Sequence, residues 1–151
     1  MPKPSAKKNS RFPDPAPMRR EGDMDGLPSV MLVNTALKGY AATEDFPYHV
    51  WVAVGYNSTD AEQGLPTGKE ERTLSSIEDA LLAAVRKGSA GHYIGHTSWN
   101  GVREFHFYVD DPDDVEERLE KVAEQQHRPV QLEINEDSAW AGVSYFFDYE
   151  Q

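Results

Sequence analysis

Apolar and polar residues alternate over residues 49–56, with Val50, Val52 and Val54 on one side and His49, Trp51 and Ala53 on the other. A period of two marks a half-buried strand. The pattern returns over 91–99 and 102–109, two runs separated by Asn100-Gly101. That dipeptide suits a two-residue hairpin turn, because both turn positions need positive φ. Val130, Leu132 and Ile134 alternate in a further predicted strand, and a tail strand is expected over 142–147. The short run Val30-Met31-Leu32-Val33 reads as a strand or a helix start.

Two segments carry the longer helical period. Ile77, Leu81 and Val85, with Ala80 and Ala84, make one apolar stripe, and Ser75 and Glu78 have the spacing of a capping box. The first helix is therefore expected to open at Ser75, after a loop over 57–73, and to end at Gly88 behind Arg86 and Lys87. The second is expected to start with Asp111 as N-cap and Pro112 at the first helical position, where a missing N–H costs nothing. Val115, Leu119, Val122 and Gln126 share one face of it, and Pro129 stops it.

The resulting order, β-α-β-β-α-β, predicts a ferredoxin-like α+β sandwich: an antiparallel four-stranded sheet with two helices on one face, plus extra terminal strands. The expected domain is residues 29–151. Residues 1–28, with six prolines and no hydrophobic periodicity, read as a disordered Pro/Lys/Arg-rich tail.

The hairpin register predicts which side chains share a face. A two-residue turn pairs Trp99 with Val102, Thr97 with Glu104, Gly95 with His106 and Tyr93 with Tyr108 on one side. Ser98 with Arg103, His96 with Phe105, Ile94 with Phe107 and His92 with Val109 take the other. The second set meets the helices. The open face then shows Trp51, Tyr93, Trp99, Glu104, His106 and Tyr108, a candidate partner-binding surface, since uncovered aromatic surface marks interaction sites. The competing reading is that a terminal segment covers this face and makes it a second small core.

Charge sharpens the choice of partner. The chain has 151 residues and a formal net charge of −11. Residues 1–20 hold six basic side chains against Asp14 alone, a net +5, which leaves −16 for the rest. So acidic a body repels phosphate backbones and favours a basic protein, or serves solubility alone. Nucleic acid is not the expected partner, although a basic tail beside an aromatic sheet keeps a weak RNA-binding reading open. There is no cysteine, which excludes thiolate chemistry and suits a reducing cytoplasmic setting. No apolar run is long enough to span a bilayer, and no apolar segment follows the N-terminal charges to make a secretory signal. A homodimer through the sheet face is a further option.

Candidate chemistry is sparse. His92 and His96 are four apart, a spacing that on a strand separates them by about 13 Å, too far for one zinc ion. Glu104 and His106 resemble an acid/base pair but have no evident nucleophile beside them. The stretch from Gly64 to Lys69 lacks the spacing of a phosphate loop. Asp110 through Asp114 reads as a helix start, and Glu116, Glu117, Glu120 and Glu124 make that helix's outer face negative. No catalytic residue, cofactor or metal is expected.

Three short motifs carry a family resemblance: Gly64-Leu65-Pro66, Asn100-Gly101-Val102-Arg103-Glu104-Phe105 with Tyr108, and Asp137-Ser138-Ala139-Trp140. In these the chain resembles the bacterial domain of unknown function 695 family over roughly residues 31–147. It is also similar to the regulators of ribonuclease E activity, type B. The second resemblance implies a small acidic binding protein that inhibits a nuclease, and neither supplies catalytic residues. Arg103 is expected to anchor a carboxylate such as Asp137, and Trp140 to plug the sheet's edge or open face. The reading is a cytoplasmic, non-enzymatic regulatory domain that binds a basic protein. The alternative is an enzyme with a pocket around Glu104 and His106.

Overall fold

The computed structural model describes residues 12–57, 63–87 and 91–149. Eight elements run in the order β1 (Pro17–Met24), β2 (Leu27–Asn34), β3 (Tyr48–Gly55), α1 (Gly68–Arg86), β4 (Gly91–Trp99), β5 (Val102–Val109), α2 (Pro112–Glu124) and β6 (Val130–Glu136), with short 3-10 turns between some of them. The strands form one antiparallel sheet in the order β1-β2-β4-β5-β3-β6. The class is α+β, as expected, and the one sheet has six strands, against the expected four with extra terminal strands.

Of the two further strands, β1 comes from the stretch read as tail, while β2 contains Val30-Met31-Leu32-Val33, the run read as a strand or a helix start. Residues 17–24 pair along their whole length with 27–34. Asp25 (φ 54°) and Gly26 (φ 80°) turn between them, the same two-residue chemistry as Asn100 (φ 48°) and Gly101 (φ 86°) in the central hairpin. The part of the expected tail before residue 12 lies outside the described residues.

The helix α1 opens at Gly68, seven residues before Ser75, behind Thr67. Buried Leu74 extends the stripe of Ile77, Leu81 and Val85 backwards, while Glu70 and Glu71 stand in the first turn, where the helix dipole favours acids. Both also have cationic partners, Arg128 and Arg103. These tertiary contacts outweigh the local capping box, so Ser75 is an exposed mid-helix residue. The expected stop at Gly88 lies outside the described residues. In α2 the cap is as expected: the Asp111 carboxylate accepts from the N–H groups of Asp113 (3.1 Å) and Asp114 (3.3 Å), with Pro112 at the start.

Each sheet face carries its own core. On the helix side Val50, Val52, Val54, Phe105, Phe107 and Val109 meet Leu74, Ile77, Leu81 and Val85 of α1 and Val115 and Leu119 of α2. On the other side Val33, Leu37, Phe46, Ile94 and Tyr108 are covered by Trp140, Val143 and Phe146. The segment that covers them, Ala141–Phe147, is a 3-10 helix and not the expected tail strand. Burying each large side chain there contributes about 1.5–3 kcal/mol, so this face holds a second core and not an open surface.

The hairpin register follows the expected pairs from Trp99–Val102 back to Gly95–His106, then slips by one residue at a bulge. Tyr93 pairs with Phe107, His92 with Tyr108 and Gly91 with Val109, and Ile94 is the extra residue. The side-chain period is two, so this slip exchanges faces. Tyr93 moves to the helix side, and Ile94 and His92 move to the second core. Glycine permits a close approach beside the bulge: Gly95 has φ 150°, and a Cβ there would lie 1.9 Å from the Leu32 carbonyl oxygen on β2.

Candidate functional site

The six residues grouped by the sequence part company in space. Tyr93 lies behind the sheet, stacked on Phe107 at 4.8 Å, where its hydroxyl donates to Glu78 of α1 (2.5 Å). Tyr108 is fully buried. Its ring is sandwiched between Trp140 (4.5 Å) and His49 (4.8 Å), and its hydroxyl donates to Asp137 (2.6 Å). His106 is buried on the same face. Trp51, Trp99 and Glu104 remain half-exposed on that side. The bulge explains the loss of Tyr93, and Trp140 explains the covering of Tyr108, as its expected plugging role requires.

Trp140 completes a column of near-parallel rings: Tyr40, Trp140, Tyr108, His49 and His106, with interplanar angles between 11° and 22°. The Trp140 indole N–H donates to the Phe46 carbonyl (2.9 Å), which fixes the ring across the sheet. Asp137 ties down the turn that carries it, accepting the N–H groups of Ala141 (3.0 Å) and Gly142 (2.9 Å) as well as the Tyr108 hydroxyl. Burial works to raise the Asp137 carboxyl, but these donors outweigh it and hold it below the usual range. Arg103 does not reach Asp137. It is buried on the helix side, bonded to Ser98 (2.7 Å) and to both carboxylate oxygens of Glu71 (3.0 Å each).

Two histidines meet at the column's end. His49 Nε2 lies 2.9 Å from His106 Nδ1. Burial first, and then the neighbouring His106, depress His49 to about 4, against the opposing pull of Asp137. On its other nitrogen His106 faces the Tyr145 hydroxyl (3.4 Å) and a Glu104 oxygen (3.8 Å). His106 is the chief influence lowering the Glu104 carboxyl. Burial opposes it, and the Trp51 side chain adds a lowering hydrogen bond. At 3.8 Å the His106–Glu104 contact is longer than an ordinary hydrogen bond. Burial, helped by Glu104, pushes the Tyr145 hydroxyl up to about 12. Among the described residues no group of three His, Asp or Glu side chains is placed to hold a metal ion.

Glu104 and Tyr145 also open outward. Together with Trp99, Met31, Met24 and Val102 they line a groove of about 320 Å³ at the side of the sheet that the C-terminal turn leaves uncovered. Among the described residues four large hydrophobic side chains are exposed, and three of them, Met24 (49%), Tyr145 (44%) and Val102 (39%), stand around this groove. The Trp99 indole donates to the Met24 carbonyl (2.9 Å), which holds the β1–β2 turn against the groove wall. A second depression of about 490 Å³ continues from it past Met24, Met31 and Tyr145 toward Asp23 and Asp148. Sequence reasoning found Trp99 and Glu104 but missed Met24, Met31 and Tyr145. Met24 precedes an Asp-Gly turn, a signal that was legible, whereas Tyr145 is brought in by a turn with no periodic pattern.

A family model described as a family of unknown function, DUF695, matches residues 21–149. The chain belongs to the DUF695 family. No curated protein and no solved structure matches it. In this DUF695 chain the motifs singled out in the sequence are structural pins. Gly64 (φ 73°) has its carbonyl bonded by the Gly101 N–H (2.9 Å) and the Tyr56 hydroxyl (2.8 Å), so the first motif locks onto the hairpin turn of the second. Asp137 and Trp140 of the third clasp the second core.

Proposed function

We propose that this DUF695 chain is a non-enzymatic binding domain that takes an extended, basic segment of a partner protein in the groove around Trp99 and Glu104. The observation that carries the reading is the gathering of Met24, Val102 and Tyr145 around a half-buried carboxylate. Exposed apolar side chains clustered in one place mark contact surfaces. Methionine and aromatic walls accept the aliphatic stem of an arginine or lysine, and Glu104 accepts its charged head. The neighbouring acids Asp23 and Asp148 and the overall charge of −11 suit the same partner. A basic ribonuclease, as the resemblance to the ribonuclease E regulators implies, is one partner of this kind, and a cytoplasmic setting follows from it. The unit from β3 to β6, ordered β4-β5-β3-β6, supports a ferredoxin-like reading of the domain, with β1 and β2 as an added flank.

The test is capture from lysate by the wild-type chain beside Glu104→Lys, Trp99→Ala and Glu120→Lys. Glu120 is an exposed acid on α2, away from the groove. A basic protein held by wild type and Glu120→Lys but lost from the two groove variants supports the reading. Equal retention by all four, or loss only with Glu120→Lys, overturns it.

A second reading has one observation in its favour. Glu104 and Tyr145 connect the groove to the His106–His49 pair, a path along which a proton can move. An enzyme would place its substrate at that point. Hydrolytic or isomerase activity that disappears in His106→Asn would favour it over binding alone.

A further inference from the structure

The helix layer is narrower than the sheet. The helix α1 packs against β4 and α2 against β6, which leaves the helix-side surface of β2 bordered by α1 but not covered by it. Residues 12–17 run past this flank. Between them, α1 and strands β2 and β4 lies a cavity of about 420 Å³, within the range of small-molecule sites. It is separate from the Trp99 groove, with which it shares no described wall beyond the sheet itself.

The strap over this cavity is pinned at both ends. Phe12 stacks on His92 at 5.0 Å and meets Phe46 edge-on at 5.7 Å. Four residues later the Ala16 N–H donates to the Asn34 side chain (2.9 Å), and the Ala16 carbonyl accepts from both the backbone N–H (2.9 Å) and the hydroxyl (2.7 Å) of Thr35. Pro13, Pro15 and Pro17 line the cavity between and beside these anchors. Proline's fixed φ stiffens such a span, so it bridges the space without collapsing into it.

The lining combines apolar and charged side chains. Leu32 and Leu82 face the space. The charged ones include Glu78, whose Oε2 accepts from Tyr93 (2.5 Å) and meets His96 Nδ1 at 3.2 Å. Burial works to raise the Glu78 carboxyl, but His96 and Tyr93 outweigh it and keep it ionised. Both contacts fall on Oε2, and Glu78 lines the cavity. Eight residues along α1, about 12 Å of helix rise, Arg86 lines the same cavity.

We propose that this cavity binds a small elongated amphipathic acid, its apolar body between Leu32 and Leu82, its anionic end at Arg86, and its other, hydrogen-bond-donating end at Glu78. Asp14 on the strap also lines the space, and it disfavours a ligand with anions at both ends.

The test is titration of the full chain with 8-aminooctanoate, octanoate and suberate, followed by ligand-observed saturation-transfer NMR and calorimetry. The expected order is 8-aminooctanoate tightest, octanoate at least tenfold weaker, and suberate weakest. In Leu82→Trp, which fills the cavity, binding of 8-aminooctanoate falls at least tenfold. In Glu78→Gln the preference over octanoate shrinks while octanoate binding persists. Arg86→Ala, a change at an exposed residue with little effect on folding, weakens both acids alike. Glu104→Lys leaves all three titrations unchanged, which keeps this site distinguishable from the groove. Absence of saturable binding of 8-aminooctanoate at millimolar concentration overturns the proposal. So does binding that Leu82→Trp and Arg86→Ala both leave intact.

Discussion

His49 Nε2 stands 2.9 Å from His106 Nδ1, with the two rings within 13° of parallel. One nitrogen of the pair donates and the other accepts, so the contact requires at least one neutral ring. His49 is the group that stays neutral, since burial and His106 hold it at about 4.

An acid sensitivity follows from this pair. The unfolded chain takes up a proton on His49 near 6.5 and the folded chain only near 4. Stability is therefore fully present above pH 6.5 and is lost as pH falls toward 4. With a discount for the ring's residual exposure, the loss is about 1–2 kcal/mol. Urea midpoints at pH 7 and pH 4.5 should fall further in the wild type than in His49→Gln. An equal fall in both would remove His49 as the cause. Glu78, Glu104 and Asp137, whose carboxyls all sit below their usual range, add a further loss at lower pH that both proteins share.

The second core should be sensitive to its plug. Trp140 is 5% exposed and stacks on both Tyr40 and Tyr108. Trp140→Ala is expected to cost about 3–5 kcal/mol. Tyr108→Phe removes a single hydroxyl, and Asp137 keeps its two backbone donors, so about 1–2 kcal/mol is expected. Chemical denaturation of the two variants should preserve that order. A Trp140→Ala protein as stable as wild type would mean the C-terminal turn is not a core element.

Gly95 should tolerate no side chain. A Cβ there meets the Leu32 carbonyl oxygen at 1.9 Å, and the backbone φ is 150°. Gly95→Ala is expected to lose more than about 3 kcal/mol or to fail to fold. Gly26→Ala, also at positive φ but with nothing within 4 Å, should lose only about 1 kcal/mol. Thermal midpoints and soluble yield give the comparison. Similar losses at both sites would show that the β2–β4 approach is looser than described.

The Glu71–Arg103 pair should matter more than the surface pairs. The Arg103 side chain is 5% exposed and Glu71 52%, so Glu71→Ala leaves a buried guanidinium with only Ser98 beside it, at a cost of about 1–3 kcal/mol. Glu117→Ala breaks a pair with Lys121 in which both side chains are more than two-thirds exposed, and should cost under about 0.5 kcal/mol. Equal losses in denaturant melts would count against a structural role for Arg103.

Local chemistry alone determined the parts of the fold that depend on near neighbours. Asn100-Gly101 turned the hairpin and paired Trp99 with Val102, because two positive φ values in a row leave few residue choices. Asp111-Pro112 opened α2, because both residues act within a single turn. Val50, Val52 and Val54 went to the helix-side core, because a strand's period is fixed by its backbone. The Asp25-Gly26 turn carried the same signal in a segment whose prolines and charges read as tail. Its second strand pairs with β4, a contact 70 residues away in sequence for Ser29 and Trp99, and its first pairs only with the second.

Tertiary structure decided what the site looks like. The bulge lies beside a close approach of β2 to β4 at Gly95, a distance absent from any local pattern, and it moved Tyr93 to one face and His92 to the other. The covering of Tyr108 depends on Trp140 reaching back to the Phe46 carbonyl, 94 residues earlier. The groove at Trp99 and Glu104 is what remains once that cover is in place. A one-residue slip inverts every side chain beyond it, and a single aromatic plug turns a surface into a core. For that reason the types of the elements from β3 to β6 were legible from the sequence, while β1, the C-terminal turn and the exposed face were set by contacts between distant parts of the chain.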